Sequence, residues 1–196
     1  MRLKMFAVLS LAVLCAGAAY AQDWIGYTDK TEKFYVNLPS EPKVENIMFE
    51  TEYGFSVPAK KYTSTRGDSV YTVTVINYNS SPEYNDLKGA NAHVAHLSRD
   101  AHLAGKIVFD AYAHIDKIDG HQLQINMPDG KKYFSQSVMH MQDKRLYLLE
   151  ATVPGSSPPP AAFQVSLQVL DDKGMVIRYN DDGVTRARGN TPAGGG

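Results

Sequence analysis

The chain has 196 residues, with 20 lysines and arginines against 21 aspartates and glutamates and a single cysteine, Cys15. Its formal net charge of -1 lacks the basic footprint of a nucleic-acid-binding protein. One cysteine cannot form a disulfide within the chain, so the fold must depend on its hydrophobic core.

Residues 1–21 predict a secretory signal peptide. A short basic start precedes an apolar run at residues 6–14, and Ala19-Tyr20-Ala21 matches the small-x-small cleavage pattern. The run is too short to span a membrane as a helix. A leucine stands immediately before Cys15, where a lipoprotein signal needs a small residue, so we expect no lipid anchor. The sequence therefore predicts a soluble periplasmic or secreted protein with no membrane anchor after cleavage.

The remaining chain predicts one folded domain and a tail. Cleavage after Ala21 leaves 18 basic and 21 acidic residues, a net charge of -3. Residues 22–179 have the length and composition of a single α+β domain. Residues 180–196 contain almost no apolar side chains and end in three glycines, which predicts a disordered tail.

Apolar and polar residues alternate in four segments of the first half, which predicts strands. These segments are Phe34 to Leu38, Ile47 to Tyr53, Phe55 to Tyr62 and Val70 to Tyr78. Pro58 within the third segment favours an edge position or a bulge. The fourth segment is rich in β-branched and aromatic residues and is the strongest strand candidate.

A polar loop at residues 79–87 leads into the one clear amphipathic helix, predicted for Gly89 to Ala104. An apolar stripe supports the helix, because its members recur at spacings of three and four residues. Gly105 is predicted to cap its C-terminus. The stripe comprises Ala90, Val94, Leu97, Ala101 and Ala104.

The second half predicts an antiparallel meander. Strands are expected at Lys106 to Lys117 and Gly120 to Met127, with turns at Asp119-Gly120 and Pro128-Asp129-Gly130. A hairpin follows from Lys131 to Val153.

The return strand of this hairpin carries Tyr147, Leu149 and Ala151 at alternate positions, so these side chains should line a buried face. A second helix is predicted for Ala161 to Leu170 and is expected to cover that face with an apolar side that includes Phe163. The hairpin is accordingly interpreted as scaffold.

Three motifs in order along the chain resemble the PsbP-like superfamily. Phe34 to Pro39 is similar to its F-x-V-x-x-P opening, and Arg145 to Pro154 is similar to its late hairpin strand. Phe163 to Leu167 resembles the F-x-x-S-F start of its C-terminal helix. The resemblance implies a central antiparallel sheet of six to eight strands with two main helices packed on it. It also implies an exported bacterial member of the group.

Members of this superfamily include an extrinsic subunit of photosystem II, a Ran-binding nuclear transport factor and many exported bacterial proteins. They act mostly as binding or assembly modules, which is what the resemblance implies for this chain. No functional residue of the family is carried over, because fold analogy alone does not place a site.

His93, His96 and Asp100 are the candidate metal ligands. Their spacing on the predicted helix places them within one stripe of about 60°. Imidazole and carboxylate groups ligate zinc, copper and nickel. The alternative is a solvated polar flank of the helix, which is favoured because a closed site needs a fourth ligand and the sequence indicates none. We call these three residues the histidine stripe.

Two functions remain open from the sequence. The favoured one is a non-catalytic binding or assembly module with a protein or small-molecule partner and no cofactor. The alternative is a small periplasmic metal-binding or hydrolytic protein that uses the histidine stripe. The sequence has no G-x-S-x-G turn, P-loop or calcium loop, so an enzyme is not the favoured class.

Overall fold

The structure is a computed structural model that describes residues 24–81, 86–180 and 191–192. The predicted signal peptide, four residues of the polar loop and most of the predicted tail lie outside the described residues. Within the tail segment, Thr191–Pro192 pairs with Met175–Val176.

The described elements follow the predicted order of strands with one long helix between them. The strands are β1 (Ile25–Asp29), β2 (Phe34–Leu38), β3 (Lys43–Glu50), β4 (Ser56–Arg66), β5 (Ser69–Asn77), β6 (Lys106–Ile115), β7 (Ile118–Asn126), β8 (Lys131–His140), β9 (Arg145–Pro154), β10 (Gln168–Val169), β11 (Met175–Val176) and β12 (Thr191–Pro192). The helices are α1 (Leu87–Asp100) and α2 (Ala161–Gln164), with a 3-10 turn at Tyr78–Ser80.

Seven strands form a large antiparallel sheet in the order β3-β4-β5-β9-β8-β7-β6. The predicted meander is confirmed, because β6, β7, β8 and β9 are neighbours both in sequence and in the sheet. The predicted α+β class with six to eight strands in one sheet is confirmed as well. Strands β3, β4 and β5 form the other half of the sheet, and β5 connects this half to the meander by pairing with β9.

The first face of the large sheet is covered by a small sheet in the order β1-β2-β10. Tyr147, Leu149 and Ala151 are buried on this face, as their alternation predicts. The Phe34 ring of β2 lies 6.1 Å from that of Tyr147 and makes an edge contact with Tyr62 at 5.0 Å. This face of the hairpin is therefore covered mainly by the small sheet, and Phe163 of α2 also packs into the same core.

The second face is covered by α1, which packs on β7, β8 and β9. Ala90 and Val94 are buried against Met139, Leu146 and Leu148. The large sheet is thus buried on both faces at its centre, which explains why β9 is apolar at most positions rather than at alternate ones.

The second predicted helix is wrong in its extent, since α2 ends at Gln164 and β10 follows. Strand β10 supplies β2 with its second strand partner. Ser166 lies between α2 and β10. Its hydroxyl accepts a hydrogen bond from the Asn37 amide at 2.8 Å and donates one to the Phe163 carbonyl at 2.7 Å. The apolar residues used to predict the helix are still buried, so tertiary pairing replaced helical geometry without exposing them.

The first helix is displaced from its prediction by two to four residues at each end. Asp86 begins it as the N-cap, because its carboxylate accepts a hydrogen bond from the Gly89 amide at 2.8 Å. Ala101 is the C-cap, so Gly105 does not cap the helix. Gly105 instead lies against β7, where a Cβ atom would collide with the Ile125 side chain.

The buried face of α1 is also rotated relative to the predicted stripe. Leu97 is 40% exposed, and Ala101 and Ala104 are exposed. The buried positions are Ala90, Asn91, Val94, Ala95 and Ser98. Asn91 and Ser98 are polar, so a prediction from apolar side chains alone misplaces the buried face of α1.

The turn between β6 and β7 is formed by Asp116 and Lys117, not by the predicted Asp119-Gly120. Both turn residues have positive φ, 49° and 69°, as a two-residue type I′ turn requires. Gly120 lies within β7, where a Cβ atom would collide with the Ser137 carbonyl of β8. Its role is close strand packing, whereas Gly130 does have the positive φ expected of the predicted Pro128–Gly130 turn.

Candidate functional site

The structure does not bring the histidine stripe together. His96 Nε2 lies 3.0 Å from Asp100 Oδ2, and both side chains are largely exposed. His93 turns toward β3, where its Nε2 lies 3.2 Å from the Glu50 carbonyl oxygen and its ring meets the Phe49 ring edge-on. Within residues 24–81, 86–180 and 191–192, no group of three or more histidine, cysteine, aspartate or glutamate side chains is placed to hold a metal ion.

A groove runs along the other side of α1, between this helix and the β6 edge of the large sheet. Its volume is about 280 Å³. We call it the α1 groove. It is lined by Lys88 and Asn91 of α1, Tyr112, Ala113 and His114 of β6, Asp119 and Gly120 of β7, Met139 of β8, and Met141.

The floor of the α1 groove is apolar except at one position. Met139 is buried there and Met141 partly buried. Asn91 is also buried, and its side-chain oxygen accepts a hydrogen bond from the Ser137 hydroxyl of β8. A buried amide anchored in this way has its position fixed, and thioether side chains adapt readily to the shape of a ligand.

The rim of the α1 groove is polar and exposed. Tyr112 is 74% exposed, and His114 Nε2 lies 3.3 Å from Asp119 Oδ1 across the β6–β7 pair. Lys88, in the first turn of α1, contributes its positively charged ammonium group to the rim. The rim therefore offers both signs of charge and one exposed aromatic ring around an apolar floor.

A partly exposed ionic chain joins α1 to the β6 edge. Arg99 Nη1 donates to both carboxylate oxygens of Asp110, at 3.0 and 2.9 Å. His121 of β7 lies 2.8 Å from the same carboxylate through its Nε2 and meets the Tyr112 ring edge-on at 5.5 Å. Burial lowers the pKa of His121, so the ring is neutral at pH 7 and its Nε2–H donates to Asp110.

This histidine–carboxylate pair is not arranged for nucleophilic catalysis. The serine directly opposite His121 in the β7–β8 register is Ser137. It is only 2% exposed, and its hydroxyl donates to Asn91 rather than to the imidazole. A hydrolase needs an accessible nucleophile within hydrogen-bond reach of its base, so the pair is read as structural.

A wider depression of about 640 Å³ lies on the opposite side of α1, beside the β3–β4 turn. Its lining includes Phe49, Glu50, His93 and Leu97. The histidine is already engaged by the Glu50 carbonyl, and the other polar side chains of the lining come from β3 and the turn after it, whereas those of the α1 groove come from α1, β6 and β7. The α1 groove is therefore the better candidate site.

Sequence reasoning missed the α1 groove because its residues come from α1, three consecutive strands and the turn after β8. Only one local signal pointed to it: an asparagine at position 91, beside the apolar residues of an amphipathic helix. A polar side chain on the buried face of a helix is normally hydrogen-bonded to another buried group, so an asparagine there indicates such a partner. Lys88, Tyr112 and Asp119 carry no such signal.

A comparison with solved structures finds similarity to the solution structure of cyanobacterial PsbP (CyanoP) from Synechocystis. The two chains are 9% identical, the match covers 70% of this chain and 84% of the other, and the TM-score is 0.43. No family model matches the sequence, and no curated protein matches it significantly. The similarity concerns the fold alone.

Proposed function

We propose that the chain is an exported, non-catalytic binding module and that its ligand occupies the α1 groove. The observation that carries this proposal is the convergence of polar groups from α1, β6 and β7 around an apolar floor. Concave sites of this composition, with a few placed polar groups, are typical of small-molecule binding. The N-terminal basic, apolar and A-Y-A segments support export.

The lining indicates the chemical class of the ligand. Methionine side chains at the floor favour an apolar or aromatic body, and Tyr112 can stack on a flat one. Lys88 favours an anionic group at the helix end of the groove, where the helix dipole acts in the same direction. The expected ligand is therefore a small aromatic or aliphatic anion.

The probe 8-anilinonaphthalene-1-sulfonate has this chemistry, and its fluorescence rises on binding to apolar surface. We expect saturable binding of one probe per chain. Lys88→Glu should weaken binding about fivefold, because replacing an exposed attraction by a repulsion changes the binding free energy by about 1 kcal/mol.

Lys61→Glu is the matched control, since Lys61 lies on β4, outside the α1 groove. It makes the same charge change and should leave the dissociation constant within twofold. Equal weakening by the two variants would assign the effect to net charge and would refute this site. Binding of the probe that does not saturate would also refute this site.

A further inference from the structure

The β6 strand is the last strand of the large sheet, and its outer edge has no strand partner among the described residues. It is ten residues long and carries exposed apolar side chains. Phe109 is 48% exposed and Tyr112 is 74% exposed. Unpaired edges of this kind present free backbone donors and acceptors that pair readily with another strand.

The other edge of the sheet is different. Strand β3 carries three charged side chains, Lys43, Glu45 and Glu50, which discourage strand addition, whereas β6 carries two, Lys106 at its start and Asp110. On β6 the register with β7 shifts between Ile107 and Phe109, so a bulge interrupts the beginning of the strand. The regular and accessible part of the β6 edge therefore begins at Phe109.

Residues 109–115 read Phe-Asp-Ala-Tyr-Ala-His-Ile, which is self-complementary about Tyr112. In an antiparallel pair of two copies centred on this tyrosine, Asp110 lies opposite His114 of the second copy. Ala111 then lies opposite Ala113, and Phe109 opposite Ile115. Opposite residues in an antiparallel pair point to the same face, so the Asp110 carboxylate and the His114 imidazole meet on one face, and apolar side chains meet on the other.

We propose that two copies of this chain pair through β6, antiparallel and in register about Tyr112, to form a continuous fourteen-stranded sheet. The small side chains of Ala111 and Ala113 let the strands approach without steric conflict. The two Asp110–His114 pairs select this register, since a shift by two residues places Asp110 opposite Tyr112 or opposite Asp116. An isologous contact of this kind closes on itself and stops at the dimer.

The pairing would also bring two α1 grooves to the dyad, because Tyr112 and His114 line the groove and the β6 edge at once. The dimer does not depend on the proposed ligand, since it rests on backbone pairing and on the β6 sequence. An experiment that refutes the dimer would therefore leave the binding proposal standing, and the reverse also holds.

Sedimentation of the purified chain over a range of concentrations tests the proposal. We expect a reversible monomer–dimer equilibrium. Tyr112→Lys places two cations against each other on the dyad, and His114→Asp creates two Asp–Asp pairs, so each should raise the dissociation constant at least tenfold. Met48→Lys, an exposed position on the β3 edge, is the matched control and should leave it unchanged.

Cross-linking tests the register. Cα atoms of directly opposite residues in an antiparallel pair lie about 4.5–5.5 Å apart, within the range that a disulfide spans. In protein that begins at Gln22, which has no cysteine of its own, mild oxidation should convert Tyr112→Cys to a covalent dimer, whereas Met48→Cys should stay monomeric. A parent chain that sediments as a monomer up to about millimolar concentration, or a dimer lost in Met48→Lys and kept in Tyr112→Lys, would overturn the proposal.

Discussion

Several buried tyrosines each place a hydroxyl on a defined acceptor. Tyr62 donates to Asp29 at 2.6 Å, Tyr133 to Glu150 at 2.6 Å, and Tyr147 to the Glu32 carbonyl at 2.9 Å. Burial raises the pKa of each of these phenols far above its usual value, so all three stay neutral donors at any pH the protein meets. These three tyrosines are thus core residues whose hydroxyl groups are hydrogen-bonded.

The neighbouring position in β9 provides the clearest test of the core. Leu149 has no exposed surface and lies between Tyr147 and Ala151 on the face covered by the small sheet. Truncation to alanine should cost about 2–5 kcal/mol, because the lost side chain leaves a cavity. Leu149→Ala should lower the melting temperature by about 4–20 °C in a thermal unfolding scan.

His96→Ala is the companion variant, because His96 is largely exposed and its ion-pair partner, Asp100, is exposed too. Its melting temperature should stay within about 2 °C of the parent. If Leu149→Ala unfolds at the parent temperature, the hairpin face is exposed and both the fold and its interpretation as scaffold are wrong.

At the scale of elements, an ionic cluster ties the β1–β2 turn to the β8–β9 turn. Lys33 Nζ lies 2.8 Å from Asp143 Oδ2, and Arg145 lies 3.5 Å from Glu32 and 3.7 Å from Asp143. Lys33 lies in the β1–β2 turn with a positive φ of 58°, and its ammonium group also lies 2.6 Å from Asp172 Oδ1. The small sheet is therefore held to the large one by charge as well as by apolar packing.

The pKa of Asp143 reports this contact. Burial alone would raise it, but the hydrogen bond from Lys33 and the nearby charges of His140 and Arg145 hold it below its ordinary value. A lowered carboxyl pKa stabilises the fold above the unfolded-state value of about 3.9, and this stabilisation is lost as pH falls through the folded-state pKa. Asp143→Asn should cost about 1.5–3 kcal/mol at pH 7, and the difference should shrink below about pH 4.

Melting temperatures measured from pH 7 to pH 3 check this expectation. Asp68→Asn is the matched control, since Asp68 lies exposed in the β4–β5 turn, and it should follow the parent at every pH. A difference between Asp143→Asn and the parent that stays constant down to pH 3 would show that the ionised carboxylate does not stabilise the contact.

Strand elements were predicted well because alternation is a local signal. The buried residues of β9 followed from the sequence alone, and so did the antiparallel meander that ends in the β8–β9 hairpin. The second helix was misjudged because Phe163 and Leu167 fit a helical face and an irregular buried segment equally well. Nothing local shows that β2 needs β10 as a partner.

The candidate site was less accessible to prediction than the fold. His93 and His96 suggested a shared ligand set because they lie one turn apart, but His93 is directed to a β3 carbonyl that is 43 residues away in sequence. The α1 groove depends on which side of α1 faces the β6 edge. That orientation is set by Asn91 and Ser98, which are polar residues that the apolar count ignored.

At the scale of the whole molecule, the chain is proposed to leave the cytoplasm. No helix among the described residues is both long enough and apolar enough to cross a membrane. We expect cleavage after Ala21, so N-terminal sequencing of protein recovered from a periplasmic extract should begin at Gln22. Recovery of the intact N-terminal segment on a cytoplasmic product would contradict both export and the assignment of residues 1–21.

Every strand pair in the large sheet joins consecutive strands except one. The exception is β5 with β9, where Val70 pairs with Thr152. Each of the two halves, β3 to β5 and β6 to β9, needs only short turns or a short loop to form, whereas their union must close the long intervening chain. Loop closure carries the larger entropic cost, and sheets that depend on such distant pairs fold slowly. The pairing of β5 with β9 is therefore expected to be the rate-limiting step in assembly of the native sheet, and slow pairing here would favour the proposed export by keeping the chain unfolded.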